Sequence, residues 1–196
     1  LRDIPGIVVG CPSRGDDAVE MLRTLAALAT VDGRVALFLE PIALYMTKDL
    51  HEAGDGQWLT SYPPQGQAMA LGEGRVYEPD ADDLVIFSYG NGVPMSLRAA
   101  RRIEAAHGWK VRVVDLRWLV PLNEAFIVEQ ARSARRILVV DEGRRSAGVG
   151  EGVITAIAEG GYAARPFGRV VGADTYTPLA GAAFLVIPGD DDIVEA

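Results

Sequence analysis

Three glycines, at positions 148, 150 and 152 in "RRILVVDEGRRSAGVGEGV", are spaced as if to let a helix amino terminus close on a phosphate. A triphosphate-binding loop also needs a lysine followed by serine or threonine, to reach the phosphates and magnesium. This stretch contains no lysine. A dinucleotide fingerprint needs G-x-G-x-x-G, and Val153 stands where the last glycine should be. Glu151 would set a carboxylate where the anion would lie, while satisfying the helix dipole itself. The glycines are therefore read as permitting tight turns and close helix–sheet packing, not phosphate binding.

Other candidates are weaker. Asp141 and Glu142 are an acid pair at a strand end, but consecutive strand residues face opposite ways, so they do not share a proton. Glu40 ends a strand, where open α/β sheets gather functional groups, and a loop hydrogen bond is the reading preferred to catalysis. His51 and His107 have no carboxylate at metal-ligand spacing and read as surface residues. Cys11 is the only cysteine, which excludes an internal disulfide and thiolate zinc sites and suits a reducing compartment. No residue of this set is assigned a catalytic or cofactor-binding role.

The elements that must position these residues follow from pattern. "GIVVGC" (6–11) and "RVALFLE" (34–40) are β-branched or apolar runs that read as buried strands. Between them, Ser13 and Asp16 resemble a capping box, and Val19, Leu22, Leu25, Ala26 and Ala29 form a helical stripe. Residues 6–40 thus make a parallel strand–helix–strand unit. Residues 51–82 hold five glycines and three prolines and read as a connector, with a short strand at "GRVYE". Trp58 and "YPP" at 62–64 either anchor it locally or against a partner.

From Asp83 the alternation is regular. Strands are read at 84–90, 110–116, 136–142 and 168–174. Helices carry Leu97, Ala100 and Ile103, then Ile127 and Ala131 behind an Asn123 cap, then Val149, Val153, Ala156 and Ile157 up to a stop at Gly160–Gly161. Such strands imply an α/β fold: an open, mainly parallel sheet with helices on both faces, preceded by a partial α/β domain. The expected division is 1–50, a connector 51–82, and 83–196.

The 196 residues carry a net charge of −8, are 49% hydrophobic and 23% charged, and show no basic surplus of the kind nucleic acid requires. No apolar run approaches the ~20 residues of a membrane span. The arginines between Arg98 and Arg145 are expected to be solvated helix faces and strand ends. The chain begins at Leu1 immediately before a strand pattern, so it reads as a piece of something longer.

The run from "DLVIFSYG" through Asp115, Leu116, Arg117 and Pro121 to "VVDEG" and its glycine turn, continuing in "RVVGADTYTP" and "IPGDDDIVEA", resembles the C-terminal domain of the transketolase superfamily. Upstream, Pro5–Pro12 and "LEPIALY" at 39–45 are similar to the end of the pyrimidine-binding domain. The match is closest to the beta subunit of the decarboxylating component of 2-oxo acid dehydrogenase complexes, of the pyruvate or branched-chain type.

That resemblance implies a parent oxidoreductase using thiamine diphosphate and magnesium, cytoplasmic as far as its missing start allows. The residues that grip the cofactor are expected upstream of Leu1 or in the alpha partner. This segment alone is expected to be inactive, and to serve assembly and docking. Implied partners are an alpha subunit or alpha-like region, a second beta copy and the lipoyl acyltransferase core, with neither nucleic acid nor membrane. Many relatives also hold a potassium ion at positions matching Ala29, Thr30, Asp32 and Arg34. Here Arg34 replaces the usual Asn, and its charge disfavours the ion. Two alternatives stay open: a free-standing flavodoxin-like module for a nucleotide or flavin, and another transketolase-type enzyme.

Overall fold

A computed structural model describes residues 3–196. It falls into two compact units. The first comprises the described residues up to Arg75, with Tyr89–Asn91 and Asp115–Asn123; the second comprises Val76–Ser88, Gly92–Val114 and Glu124–Ala196. Residues 51–75, expected as a connector, belong to the first unit, and so does the short return segment 115–123.

In the first unit, β1 (Val8–Gly10) lies between β2 (Ala36–Phe38) and β6 (Trp118–Val120). β1 and β2 run parallel, with Val8 opposite Ala36 and Gly10 opposite Phe38, while β6 is antiparallel to β1. The crossover between β1 and β2 is α1 (Gly15–Thr30), whose first turn carries Asp16 and Asp17, where carboxylates favour the helix dipole. Its inward residues are Asp17, Met21 and Leu25. The expected stripe is therefore displaced: Leu25 is buried, but Leu22 is 52% exposed and Ala26 and Ala29 face solvent. Packing selects the face that fits Met21 and Leu25 against the sheet, and apolar spacing alone does not distinguish two adjacent stripes.

The expected capping box is also absent. Arg14 is the N-cap residue and makes no side-chain cap bond, because the Ser13 hydroxyl is turned to Asp115 instead. β2 is only half-buried, not the buried strand expected. The core of this unit is Val8, Met21, Leu25, Met69 and Trp118, each worth roughly 1.5–3 kcal/mol when fully withdrawn from water. Gly10 is closely packed there: a Cβ would stand 2.8 Å from the Met21 methyl, which would have to shift, and 3.4 Å from the Trp118 ring.

The irregular segment after β2 is tied down along α1. Trp58 is buried and its indole N–H donates to the Ser13 carbonyl at 3.1 Å. Arg23 donates to the carbonyls of Pro64 and Gln67, both at 2.6 Å, and the Thr24 hydroxyl donates to the Met69 carbonyl.

In the second unit a five-stranded sheet has the order β3-β5-β4-β7-β8, with β3 at Arg75–Tyr77, β4 at Leu84–Ser88, β5 at Val111–Asp115, β7 at Ile137–Arg144 and β8 at Phe167–Gly172. β4 pairs parallel with β7, and β7 with β8. The helices are α2 (Gly92–His107), α3 (Glu124–Ser133), α4 (Val149–Ile157) and α5 (Asp190–Glu195). α2 packs on α5 and α3 on α4, giving the helix-flanked sheet expected. Ile103, Ile127 and Ala131 are buried as read from the pattern, as are Val149, Val153, Ala156 and Ile157. On α2 the buried residues are Val93, Met95, Ala99 and Ile103, with Leu97 and Ala100 only half-buried. α4 passes through a wider turn over Ala158–Tyr162 and ends where Gly161 takes φ +91°.

Two of the supposedly solvated arginines are structural. Arg112 is 6% exposed and donates to the Gln130 carbonyl and the Ser133 hydroxyl. Arg98 forms a two-pronged pair with Asp190 at 2.6 and 2.9 Å, and Arg102 reaches Asp191 at 2.8 Å, which pins α5 to α2. A second buried arginine, Arg117, belongs to the site described next.

Candidate functional site

The densest polar cluster of the first unit lies where β1 meets α1. Arg117 sits in a left-handed turn, at φ +57°, two residues after the buried Asp115. That turn sends the Arg117 guanidinium to Asp17, with Nη2 at 2.6 Å and Nε at 3.1 Å, while its backbone N–H donates to Asp115 at 3.0 Å. The Ser13 hydroxyl donates to the other Asp115 oxygen. Arg75 closes the group, reaching Asp17 at 2.7 Å and Asp16 at 3.2 Å.

Burial dominates the electrostatics here. Removal from water pushes the Asp115 carboxyl up to about 7, against the opposing pull of the Ser13 hydroxyl and the Arg117 charge. Burial also raises Asp17, despite its two arginine partners. Burial works against ionised Asp16 as well, but Arg75 and Arg14 outweigh it and hold that carboxyl below its ordinary value. Asp115 thus holds a proton close to neutrality. The Ser13 hydroxyl is committed to this buried carboxyl.

Beside this cluster, at the carboxyl ends of parallel strands β1 and β2, lies a cleft of about 360 Å³ lined by Ser13, Arg14, Phe38, Glu40, Tyr45 and Trp58 among others. This is the place where open α/β sheets bind ligands. The Tyr45 hydroxyl donates to Glu40, and that bond raises the phenol above its usual value. The Arg14 guanidinium lies 5.2 Å from the Trp58 ring centroid and 3.3 Å from Asp16. Glu40 therefore makes a loop hydrogen bond, as expected of it from the sequence.

The glycine turn of the second unit holds a carboxylate of its own. Asp141 is buried at the end of the regular part of β7 and accepts hydrogen bonds from the backbone N–H groups of Gly143 and Gly150, both at 2.8 Å. A Cβ at Gly148 would fall 2.6 Å from the Asp141 carboxylate and 2.9 Å from the Arg144 carbonyl. The amino end of α4 thus has its anion built in, and this turn does not fit a diphosphate. Glu151 folds back to accept from the Ala147 N–H at 3.1 Å, as its place in the first turn allows.

The remaining candidates are dispersed. Ala29, Thr30, Asp32 and Arg34 are exposed at the turn between α1 and β2; Thr30 donates back to the Ala26 carbonyl, and the Arg34 N–H takes the Leu28 carbonyl at 3.0 Å. The oxygen donors there are main-chain carbonyls and one carboxylate, a set that suits only a weakly held hard cation. His107 is exposed against Trp109, and His51 is half-buried in the loop closed by Asp49 and Asp55. Among the described residues no group of three or more His, Cys, Asp or Glu side chains is placed to hold a metal. Sequence reasoning missed Asp17 and Arg75. Asp17 did carry a signal: it continues the inward 21–25 spacing as a charge on an apolar stripe, and such a charge needs a buried partner.

The family model for the transketolase C-terminal domain matches residues 72–188. The chain belongs to that family. Its resemblance extends beyond the matched segment. The pyruvate dehydrogenase E1 component subunit beta of Staphylococcus aureus (strain Mu50) is 30% identical over 197 aligned positions, covering 100% of this chain and 56% of that protein. The corresponding subunit of Staphylococcus epidermidis (strain ATCC 12228) gives the same identity and coverage. The chain spans about half the length of the curated relatives it matches. A solved structure titled "Split gene transketolase, inactive beta4 tetramer" superposes with a TM-score of 0.73 at 20% identity, covering all of this chain and 57% of that one, and so shares its fold. Asp115, Arg117 and Pro121, on which the resemblance first rested, lie inside the family match. No helix among the described residues is long and apolar enough to cross a membrane.

Proposed function

We propose that the chain is the C-terminal portion of a beta subunit, or beta-like region, of a 2-oxo acid dehydrogenase decarboxylating component. On this reading the parent is a thiamine-diphosphate- and magnesium-dependent oxidoreductase acting on pyruvate or a branched-chain 2-oxo acid. Residues 1–50 are the end of its pyrimidine-binding domain and 83–196 its C-terminal domain. The observation that carries the reading is similarity to E1 beta subunits along all of this chain but little more than half of theirs.

The segment's own task is assembly: contact with an alpha subunit, with a second beta copy and with the lipoyl acyltransferase core. Exposed apolar side chains support this. In the first unit Leu22, Val31 and Val35 are exposed, and in the second Leu179, Phe184 and Leu185 are exposed by 79% or more. Thiamine diphosphate and magnesium belong to the assembled parent on this reading, and the Asp141-filled turn is consistent with that. A potassium ion at Ala29, Thr30 and Asp32 belongs to the same proposal; a higher melting temperature in potassium than in sodium chloride would support it, and identical values would remove it.

Co-expression with an alpha subunit of the pyruvate type tests the main reading. Co-purification in a defined ratio, with thiamine diphosphate bound only by the complex, is expected. Tight calorimetric binding of thiamine diphosphate, FMN or NAD by the isolated chain would overturn it, FMN or NAD in favour of a free-standing nucleotide module.

A further inference from the structure

We propose that the cleft at the amino-terminal ends of β4, β7 and β8 in the second unit binds a small amphipathic monocarboxylate, with an apolar body and one anionic head. This goes beyond the assembly role and does not depend on it. The cleft measures about 440 Å³ and is walled by Leu84, Ile103, Ile137, Phe167, Ile193 and Val194. That volume lies within the roughly 300–1,000 Å³ of small-molecule sites.

Arg136 supplies the polar end. Its guanidinium carbon lies 4.0 Å from the centroid of the Trp109 ring, and Trp109 is itself backed by His107 at 5.4 Å. Among the described residues the Arg136 guanidinium makes no hydrogen bond and no ion pair. Other arginines of this unit differ: Arg135 is paired with Asp83, Arg132 with Glu129, and Arg165 with the carbonyls of Ala131 and Arg132. Stacking fixes the plane of a guanidinium and leaves its N–H edge free, which is the arrangement that takes a carboxylate through two parallel hydrogen bonds. Holding that fork in place beforehand removes much of the ordering cost of binding.

The surrounding charge narrows the ligand further. Glu195 also lines the cleft and does not pair with Arg136. The adjoining first turn of α5 carries Asp190, Asp191 and Asp192. A polyanion or an acidic protein tail would meet repulsion from these groups, whereas a single carboxylate on an apolar body meets one cation and six apolar walls.

Calorimetry on the full chain with octanoate and with its neutral isostere octanamide tests the proposal, together with a ¹H–¹⁵N spectrum following the indole N–H of Trp109. Octanoate is expected to bind roughly ten- to a hundred-fold more tightly than octanamide and to shift the Trp109 resonance. Arg136→Gln should bring octanoate down to the octanamide level, and Arg136→Lys should retain part of the difference, with melting temperatures reporting that both variants are folded. Equal affinity for the two ligands would overturn the proposal. So would unchanged octanoate binding by folded Arg136→Gln, or no heat and no indole shift. Preferential binding of a glutamate-rich peptide would overturn it too, in favour of a protein-docking surface.

Discussion

Asp115 holds its proton more tightly than an ordinary aspartate. Its carboxyl is raised from 3.8 to about 7 by burial, so the folded chain binds a proton more tightly than the unfolded chain. The stability this contributes is fully present below about pH 4 and is lost as pH rises through about 7. The unfolding free energy from urea titrations should therefore fall between pH 5 and pH 7.5, by an amount on the order of a few kcal/mol. Asp115→Asn should flatten that slope, and a slope unchanged in the variant would show that another group sets it. Asp16 and Asp174, both lowered, act below this window and in the opposite sense. At the same scale, Gly148→Ala should destabilise by about 1–3 kcal/mol, because the added methyl meets the Arg144 carbonyl as well as the Asp141 carboxylate. Gly181→Ala, with nothing within 4 Å of its new methyl, should be near neutral in the same melting experiment.

At the scale of elements, α1 decides which of two apolar stripes is the core. Met21 is fully buried, so Met21→Ala should cost about 2–5 kcal/mol in a denaturant titration. Leu22→Ala should change stability by less than about 1 kcal/mol, since its side chain is 52% exposed. Equal losses at the two positions would mean that the exposed stripe is covered in solution. α5 is held differently, by ion pairs from α2. Arg98→Ala should fray α5 and increase exchange of its amides without unfolding the sheet, because Arg98 and Asp190 are partly exposed and their pairing is screened.

At the scale of the whole molecule, the unpartnered apolar side chains and the edge position of β2 in its three-stranded sheet bear on association. Sedimentation at several concentrations should show self-association that Val31→Lys with Val35→Lys weakens. A concentration-independent monomer would count against the proposed assembly role. These substitutions lie outside the Ser13–Asp115–Arg117 cluster and should leave the fold of the first unit unchanged.

Periodicity and residue type by themselves determined the α/β class, the four strands β4, β5, β7 and β8 with the helices α2, α3 and α4 between them, and the inward residues of α3 and α4, but neither β6 nor α5. Those features depend on local burial patterns, which repeat along the chain at 2.0 or 3.6 residues. The Asp115–Leu116–Arg117 and glycine-turn motifs likewise carried the family resemblance. Only the tertiary structure decided what those motifs hold. Arg117 finds Asp17 across 100 positions of sequence, Ser13 leaves its expected cap for Asp115 across 102, and the amino end of α4 closes on Asp141 and not on a phosphate. The choice of stripe on α1 and the inclusion of 51–75 in the first unit were decided there as well. The physical reason is shared: a buried charge or an apolar face is committed by whichever partner folding brings to it, and that partner has no fixed spacing in the sequence.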